Sequence, residues 1–363
     1  MRKGETILIY EDEAFYAAFP SIVSRPDGEL LVAFRRAPER RRYGAPGCTH
    51  CDPNSYLVLV RSRDLGRSWS GEPETIHAHP LAGSQDPCLL QLDDGALLCS
   101  SYAWMLLPQE GIERAAAAVR PSVYGWTFTF LGGYLMRSFD AGHSWEGPIL
   151  PPQVADQDTY FPGIAIPAMN RGAMVQGRDG RVYWAVATGP RGASQHTRLD
   201  LLVSSTWGQE WEHVSQIADG GTVDFNETSL VETTAGDLVA FVRTAQFNDH
   251  GVVVRSPDQG RTWGPWQDMG VIGHPYHGLT LPDGRVFLVY GYRHEPYGVR
   301  ARLLDPECTD FSGPELVLRD DGGNGDLGYP WACLTRDGRI LAVYYFNRAD
   351  GTRHIAGTFV DLE

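Results

Sequence analysis

Long apolar runs are missing from this 363-residue chain. None reaches the roughly twenty residues that a membrane-spanning helix needs, so no membrane partner is expected. The opening residues, Met1-Arg2-Lys3-Gly4-Glu5-Thr6, lack the apolar core of a secretory leader. The chain therefore reads as cytoplasmic, or as secreted or periplasmic if a leader has been removed. Positive charge is also short: 31 Lys and Arg against 45 Asp and Glu leave a net charge of −14. That balance disfavours nucleic acid and anionic membranes as general partners, and none is expected, but it still allows a local arginine cluster to take an anionic small molecule. The densest basic run, Arg35 to Arg42, reads as a solvated loop. Helical periodicity is scarce, and the best helix candidate spans 109–119.

Of six cysteines, Cys88, Cys99 and Cys333 sit inside apolar runs as small hydrophobes, while Cys48-Thr-His-Cys51 lacks the second ligand pair of a zinc site. No dense oxygen-ligand run suggests calcium, and Gly322-Gly-Asn-Gly325 lacks the strand and helix of a phosphate cradle. Neither a metal nor a cofactor is expected.

What is present is a repeat. An apolar strand, an Asp-Gly turn and a second apolar strand recur at Asp27-Gly28, Asp94-Gly95, Asp179-Gly180, Asp283-Gly284 and Asp337-Gly338, with Ala235-Gly236 as a sixth, altered copy. Asp-Gly between apolar runs marks a hairpin because glycine takes the positive φ that the turn requires. The spacing, roughly fifty to ninety residues, suits a four-stranded blade with variable loops. With 42% hydrophobic residues and ten tryptophans, the whole chain, 1–363, is expected to form one all-β domain: a six-bladed β-propeller of four-stranded antiparallel blades.

A second motif interleaves with the first: Ser62-Arg-Asp64-Leu-Gly66-Arg-Ser-Trp69, Ser138-Phe-Asp140-Ala-Gly142-His-Ser-Trp145 and Ser256-Pro-Asp258-Gln-Gly260-Arg-Thr262-Trp263. A degenerate copy, Ser204 to Trp211, carries Thr206 in place of Asp. An Asp that accepts turn N–H groups, a glycine of unusual φ and a Trp packed between blades make these fold residues, not catalytic ones. The pattern resembles the Asp-box of the sialidase superfamily, and the resemblance runs from about residue 15 to 360.

Counting eight residues back from each turn gives Phe19, Asp86, Arg171, Glu227, Pro275 (with His274 beside it) and Tyr329. Equivalent positions on the inner strands of a propeller converge on its axis, and polar groups there are expected to be functional. The sialidase resemblance implies a tyrosine nucleophile, suited to a sugar whose anomeric carboxylate repels an anionic one. Tyr329, nine residues before Gly338, matches it; Glu227, after Asn226, matches its base; Asp52, on the loop before the first Asp-box, matches the acid/base. The resemblance further implies three arginines for the substrate carboxylate. Arg243 matches one, and Arg300 a second with Arg293 as its rival. The third is lost, because Ala18 stands in its place, leaving Arg35, Arg36 or Arg171 to fill the space. Asp86 and His274 complete the expected substrate contacts.

The function implied is a retaining exo-glycosidase on a terminal, anionic sugar of a glycan. Two alternatives stay open: a uronate polysaccharide lyase that uses His274 or Tyr292, and a non-catalytic glycan-binding propeller. The apolar 102–131 insertion is placed to cover a site or meet a partner.

Overall fold

The computed structural model describes residues 1–45, 50–107, 119–121, 127–158, 167–169, 171–191 and 196–362. The helix expected over 109–119 lies almost wholly outside them, as do Cys48 and Trp126. The described chain is all-β apart from one 3-10 turn, Arg40–Tyr43, and its strands form six sheets. Most blades have four antiparallel strands. The second carries an extra strand, Val119–Pro121, and Gly172–Ala173 joins the fourth in parallel. The sixth combines Gly328–Leu334, Ile340–Asn347 and Arg353–Asp361 with Arg2–Tyr10 from the other end of the chain, which closes the ring. No helix among the described residues is long and apolar enough to cross a membrane.

All six hairpins turn alike. The turn glycine donates its N–H to the carbonyl three residues back: Gly28 to Arg25 at 2.8 Å, Gly95 to Leu92 at 3.0 Å, and equivalently at Gly180, Gly236, Gly284 and Gly338. Each glycine has φ between +80° and +100°, which β-carbon-bearing residues resist. Between these turns, strands such as Leu30–Phe34 and Leu238–Val242 are buried on both faces, which is why they read as unbroken apolar runs.

The Asp-boxes fasten blade to blade. Asp140 Oδ1 accepts from Ser144 N at 2.8 Å and from Ser138 Oγ at 2.9 Å, while Oδ2 accepts from Ser144 Oγ at 2.6 Å. Asp64 and Asp258 repeat the pattern, and Thr206 keeps part of it by accepting from Glu210 N at 2.8 Å. The turn brings each box glycine against the preceding blade, where Gly142 faces Leu59, Gly208 faces Leu98 and Gly260 faces Leu201. A β-carbon on Gly260 falls 2.1 Å from Leu201 Cδ2, at φ +83°. Gly260→Ala is therefore expected to cost about 2–5 kcal/mol, from a forced left-handed backbone plus overpacking. Urea unfolding at constant m-value measures it.

Candidate active site

Four inner strands carry one extra residue at the same end of the ring. In blade 1, Phe19 and Pro20 lie opposite Phe34 alone, between the pairs Ala18↔Arg35 and Ser21↔Ala33. In blade 6, Tyr329 and Pro330 lie opposite Tyr344; in blade 4, Asn226 and Glu227 lie opposite Arg243. In blade 2, Gln85, Asp86 and Pro87 interrupt the inner strand opposite Ser101 and Tyr102. A bulge bends its strand and re-aims the side chain it carries. Phe19 (φ 58°) and Tyr329 (φ 48°) are left-handed, a strained state for aromatic residues.

These bulges bring the counted positions together. The Tyr329 hydroxyl donates to Glu227 Oε1. Arg243 Nη1 donates to Glu227 Oε2 and, at 2.9 Å, to the Tyr329 hydroxyl oxygen. Phe19 packs on Tyr329 with ring centroids 4.7 Å apart. The Arg293 guanidinium lies 5.1 Å from the Tyr329 ring centre and that of Arg171 5.6 Å. Arg171 reaches across the channel, donating from Nη2 to Pro20 O at 2.9 Å and Pro330 O at 3.3 Å.

Burial raises the Tyr329 phenol above its ordinary range, and the Glu227 charge raises it further against the pull of Arg243 and Arg293. The hydroxyl is therefore neutral at neutral pH, and Glu227 is the acceptor already bonded to it. Burial pushes the Asp86 carboxyl up to about 7, Glu227 adding to the rise while Arg171 and Arg35 oppose it. Burial, then Arg243 and Arg293, hold His274 well below the usual imidazole range, so its ring is neutral.

The remaining expected residues have their partners elsewhere. Asp52 is held by Arg40, whose Nε lies 2.7 Å from Oδ2 and Nη2 2.9 Å from Oδ1. Arg36 pairs with Asp12 at 3.0 Å and lies over the Phe15 ring at 3.4 Å, away from Tyr329. Arg300 donates to Pro296 O at 3.1 Å and lies over the Tyr292 ring at 4.8 Å, so Arg293, not Arg300, joins the Tyr329 cluster. Arg35 does face inward. It pairs with Ala18, is fully buried, and sits 5.8 Å from the Phe19 ring centre within electrostatic reach of Asp86.

One neighbour of the cluster had no sequence signal. Asp326 accepts from Tyr345 Oη at 2.8 Å, from Arg353 Nη2 at 2.7 Å and from Tyr16 Oη at 3.1 Å, with His50 Nε2 3.0 Å away. Tyr345 in turn accepts from Arg293 Nη2 at 2.9 Å, so Asp326 fixes that arginine at second hand. Burial pushes the Asp326 carboxyl up, but His50, Arg353 and Tyr345 outweigh it and hold it well below the usual carboxylate range. A depressed pKa adds stability that is present above the ordinary Asp range, about pH 4, and is lost as pH falls through the folded value. Asp326→Asn is thus expected to lower Tm at pH 7 and to flatten the acid side of a Tm–pH curve. Parallel curves for the two proteins would contradict this.

Among the described residues no group of three or more His, Cys, Asp or Glu side chains is placed to hold a metal ion. The six-bladed ring with Asp-box turns and a bulge-built polar centre defines an Asp-box propeller. The chain belongs to the BNR repeat-like domain family, which matches residues 114–342. It is similar over 100% of its length, at 48% identity and TM-score 0.94, to a Dyadobacter fermentans protein of unknown function, covering 99% of that chain. A mutant of the NanB sialidase of Streptococcus pneumoniae shares the fold at 14% identity and TM-score 0.64, with 98% of this chain and 70% of that one covered. A Penicillium chrysogenum α-L-arabinanase, solved with arabinobiose, shares it at 12% identity and TM-score 0.66, covering 99% of both chains. Xyloglucanase Xgh74A of Acetivibrio thermocellus is 22% identical over 269 residues, 69% of this chain, and the match spans 29% of that enzyme's length.

Proposed function

We propose that this propeller is a retaining exo-glycoside hydrolase that acts on a terminal, anionic sugar. The observation that carries the reading is the hydrogen-bonded set Tyr329–Glu227–Arg243, built from blades 6 and 4 at the centre of the ring. A neutral phenol bonded to a carboxylate is a nucleophile with its base in place. Glu227 takes the phenol proton as Tyr329 oxygen bonds to the anomeric carbon and the glycosidic bond breaks. A carboxylic acid protonates the departing oxygen. Water then attacks the same carbon and gives a proton to the conjugate base of that acid, while Tyr329 leaves and takes its proton back from Glu227. Two displacements on one carbon retain its configuration.

The anionic preference is supported by charge. Arg35, Arg171, Arg243 and Arg293 stand around two carboxylates, Glu227 and Asp86, so the site holds an excess of fixed positive charge inside a chain of net charge −14. Kinship with sialidase and arabinanase propellers is consistent with sugar as the substrate class. The lyase alternative is weaker on two counts. The His274 ring is a poor base beside Arg243 and Arg293, and Tyr292 stacks on Arg300 instead of joining the cluster.

The test is turnover of a panel of aryl glycosides that includes a sialoside, several uronides and neutral sugars, with the product anomer read by proton NMR. Release of an anionic sugar with retention is expected. Turnover of neutral sugars alone would overturn the anionic preference, and inversion would overturn the covalent route. An unsaturated product from uronate polymers would move the assignment to a lyase.

A further inference from the structure

We propose that Asp86, and not Asp52, is the acid/base of this site, which deepens the hydrolase reading above and rests on it. Asp86 sits on the bulge of blade 2, 2% exposed, in the ring of equivalent positions that also delivers Phe19, Glu227 and Tyr329. Its Oδ2 has no hydrogen-bond partner among the described residues. A buried carboxyl oxygen left unsatisfied in a polar centre is costly unless a ligand meets it. The groups that face Asp86 are Glu227 on blade 4, Tyr329 on blade 6, Arg171 just before the Gly172–Ala173 strand that joins blade 4, Arg35 on blade 1, and Tyr102 and Cys88 on its own blade. Burial and Glu227 raise the Asp86 carboxyl to about 7, so it carries its proton below neutral pH, where an ordinary carboxyl is ionised. Glu227, by contrast, is bonded to a guanidinium. One carboxyl that keeps its proton, beside another that already accepts from the nucleophile, is the usual division of acid and base in a glycosidase. Asp52 lacks this setting, because both of its oxygens are bound by Arg40.

In the first step the Asp86 O–H bond breaks and its proton goes to the glycosidic oxygen, which keeps the electron pair of the broken C–O bond. The anomeric carbon bonds to Tyr329 oxygen, and the phenol proton passes to Glu227. In the second step the Asp86 carboxylate takes a proton from water as the water oxygen bonds to the anomeric carbon. The bond to Tyr329 breaks, and Glu227 returns its proton to the phenolate. The sum is hydrolysis by one water, with every side chain restored.

Wild type, Asp86→Asn and Asp52→Asn are compared on a phenyl glycoside, whose leaving group needs a proton, and on the 2,4-dinitrophenyl glycoside of the same sugar, whose leaving group does not. Thermal melts confirm that both variants fold. For Asp86→Asn, kcat/KM is expected to fall about a hundredfold or more on the phenyl substrate and less than about tenfold on the activated one. Azide is expected to restore its turnover as glycosyl azide, and the fall of wild-type kcat/KM above about pH 7 is expected to vanish in it. Asp52→Asn is expected to keep the wild-type ratio between the two substrates. A leaving-group split in Asp52→Asn, or an equal loss on both substrates in Asp86→Asn, overturns the assignment alone. Absence of wild-type turnover on the whole panel overturns the hydrolase reading and this assignment with it.

Discussion

Tyr329→Phe is expected to lower kcat/KM by about a thousandfold or more on any glycoside that the wild type hydrolyses. The change removes one oxygen. It leaves the ring against Phe19 at 4.7 Å and beneath Arg293 at 5.1 Å, so packing and the left-handed backbone at this residue have the same support. Glu227 keeps its pair with Arg243. The hydroxyl gives up two hydrogen bonds, to Glu227 and from Arg243, so stability is expected to fall by about 2–4 kcal/mol. The diagnostic pattern is a collapsed kcat in a protein that still melts cooperatively, well above the assay temperature. Loss of both activity and the cooperative melt would show only that the fold had failed, and activity within tenfold of wild type would remove Tyr329 from the chemistry.

The second large effect is on Glu227, where two substitutions separate stability from catalysis. Glu227→Ala deletes the carboxylate that Arg243 and the Tyr329 hydroxyl share, and leaves the Arg243 charge without its partner in the ring centre. Breaking a buried pair from one side costs about 3–5 kcal/mol, so a clear fall in Tm is expected. Glu227→Gln keeps the shape and one acceptor oxygen, and is expected to lose less stability. It cannot take the phenol proton, so its kcat is still expected to fall by a factor on the order of a hundred to ten thousand. Equal activity in Gln and wild type would make Glu227 a structural partner of Arg243 and nothing more.

The ring was legible because its signals are local. An Asp-Gly turn declares itself within four residues, and an Asp-box within eight; their chemistry is the same in every copy, as the repeated Gly28, Gly95 and Gly338 hydrogen bonds show. Counting eight residues back from those turns lands on Tyr329, Glu227 and Asp86, each on the bulge of its blade. The bulge at the end of that count was not legible. One extra residue opposite Phe34 or Tyr344 leaves no mark in an apolar sequence, yet it decides which side chain is aimed inward. Arg35 and Arg36 make the same point: neighbours on a strand face opposite ways, and only the pairing Ala18↔Arg35 tells which one enters the site.

The long-range partners were invisible for a different reason. Whether Asp52 is free or bound depends on Arg40, twelve residues away on a 3-10 turn, and no periodicity reports that pair. Arg293 and Arg300 both lie in blade 5 and both suit a carboxylate. Packing against Tyr345 and Leu327 O places the first beside Tyr329, whereas backbone carbonyls hold the second on its own blade. Asp326 lies three residues before Tyr329 in a glycine-rich loop, and its role appears only once Tyr16, Tyr345 and Arg353 are assembled around it.

A covalent bond between sugar and Tyr329 is trapped with a fluorinated glycosyl fluoride of the sugar that the panel identifies, which slows the second displacement. Intact mass followed by peptide mapping then locates the adduct. One sugar per chain is expected, attached to the peptide that contains Tyr329, and none on Tyr329→Phe. An adduct on Glu227 or on any other residue, or steady turnover of the reagent with none at all, would contradict it.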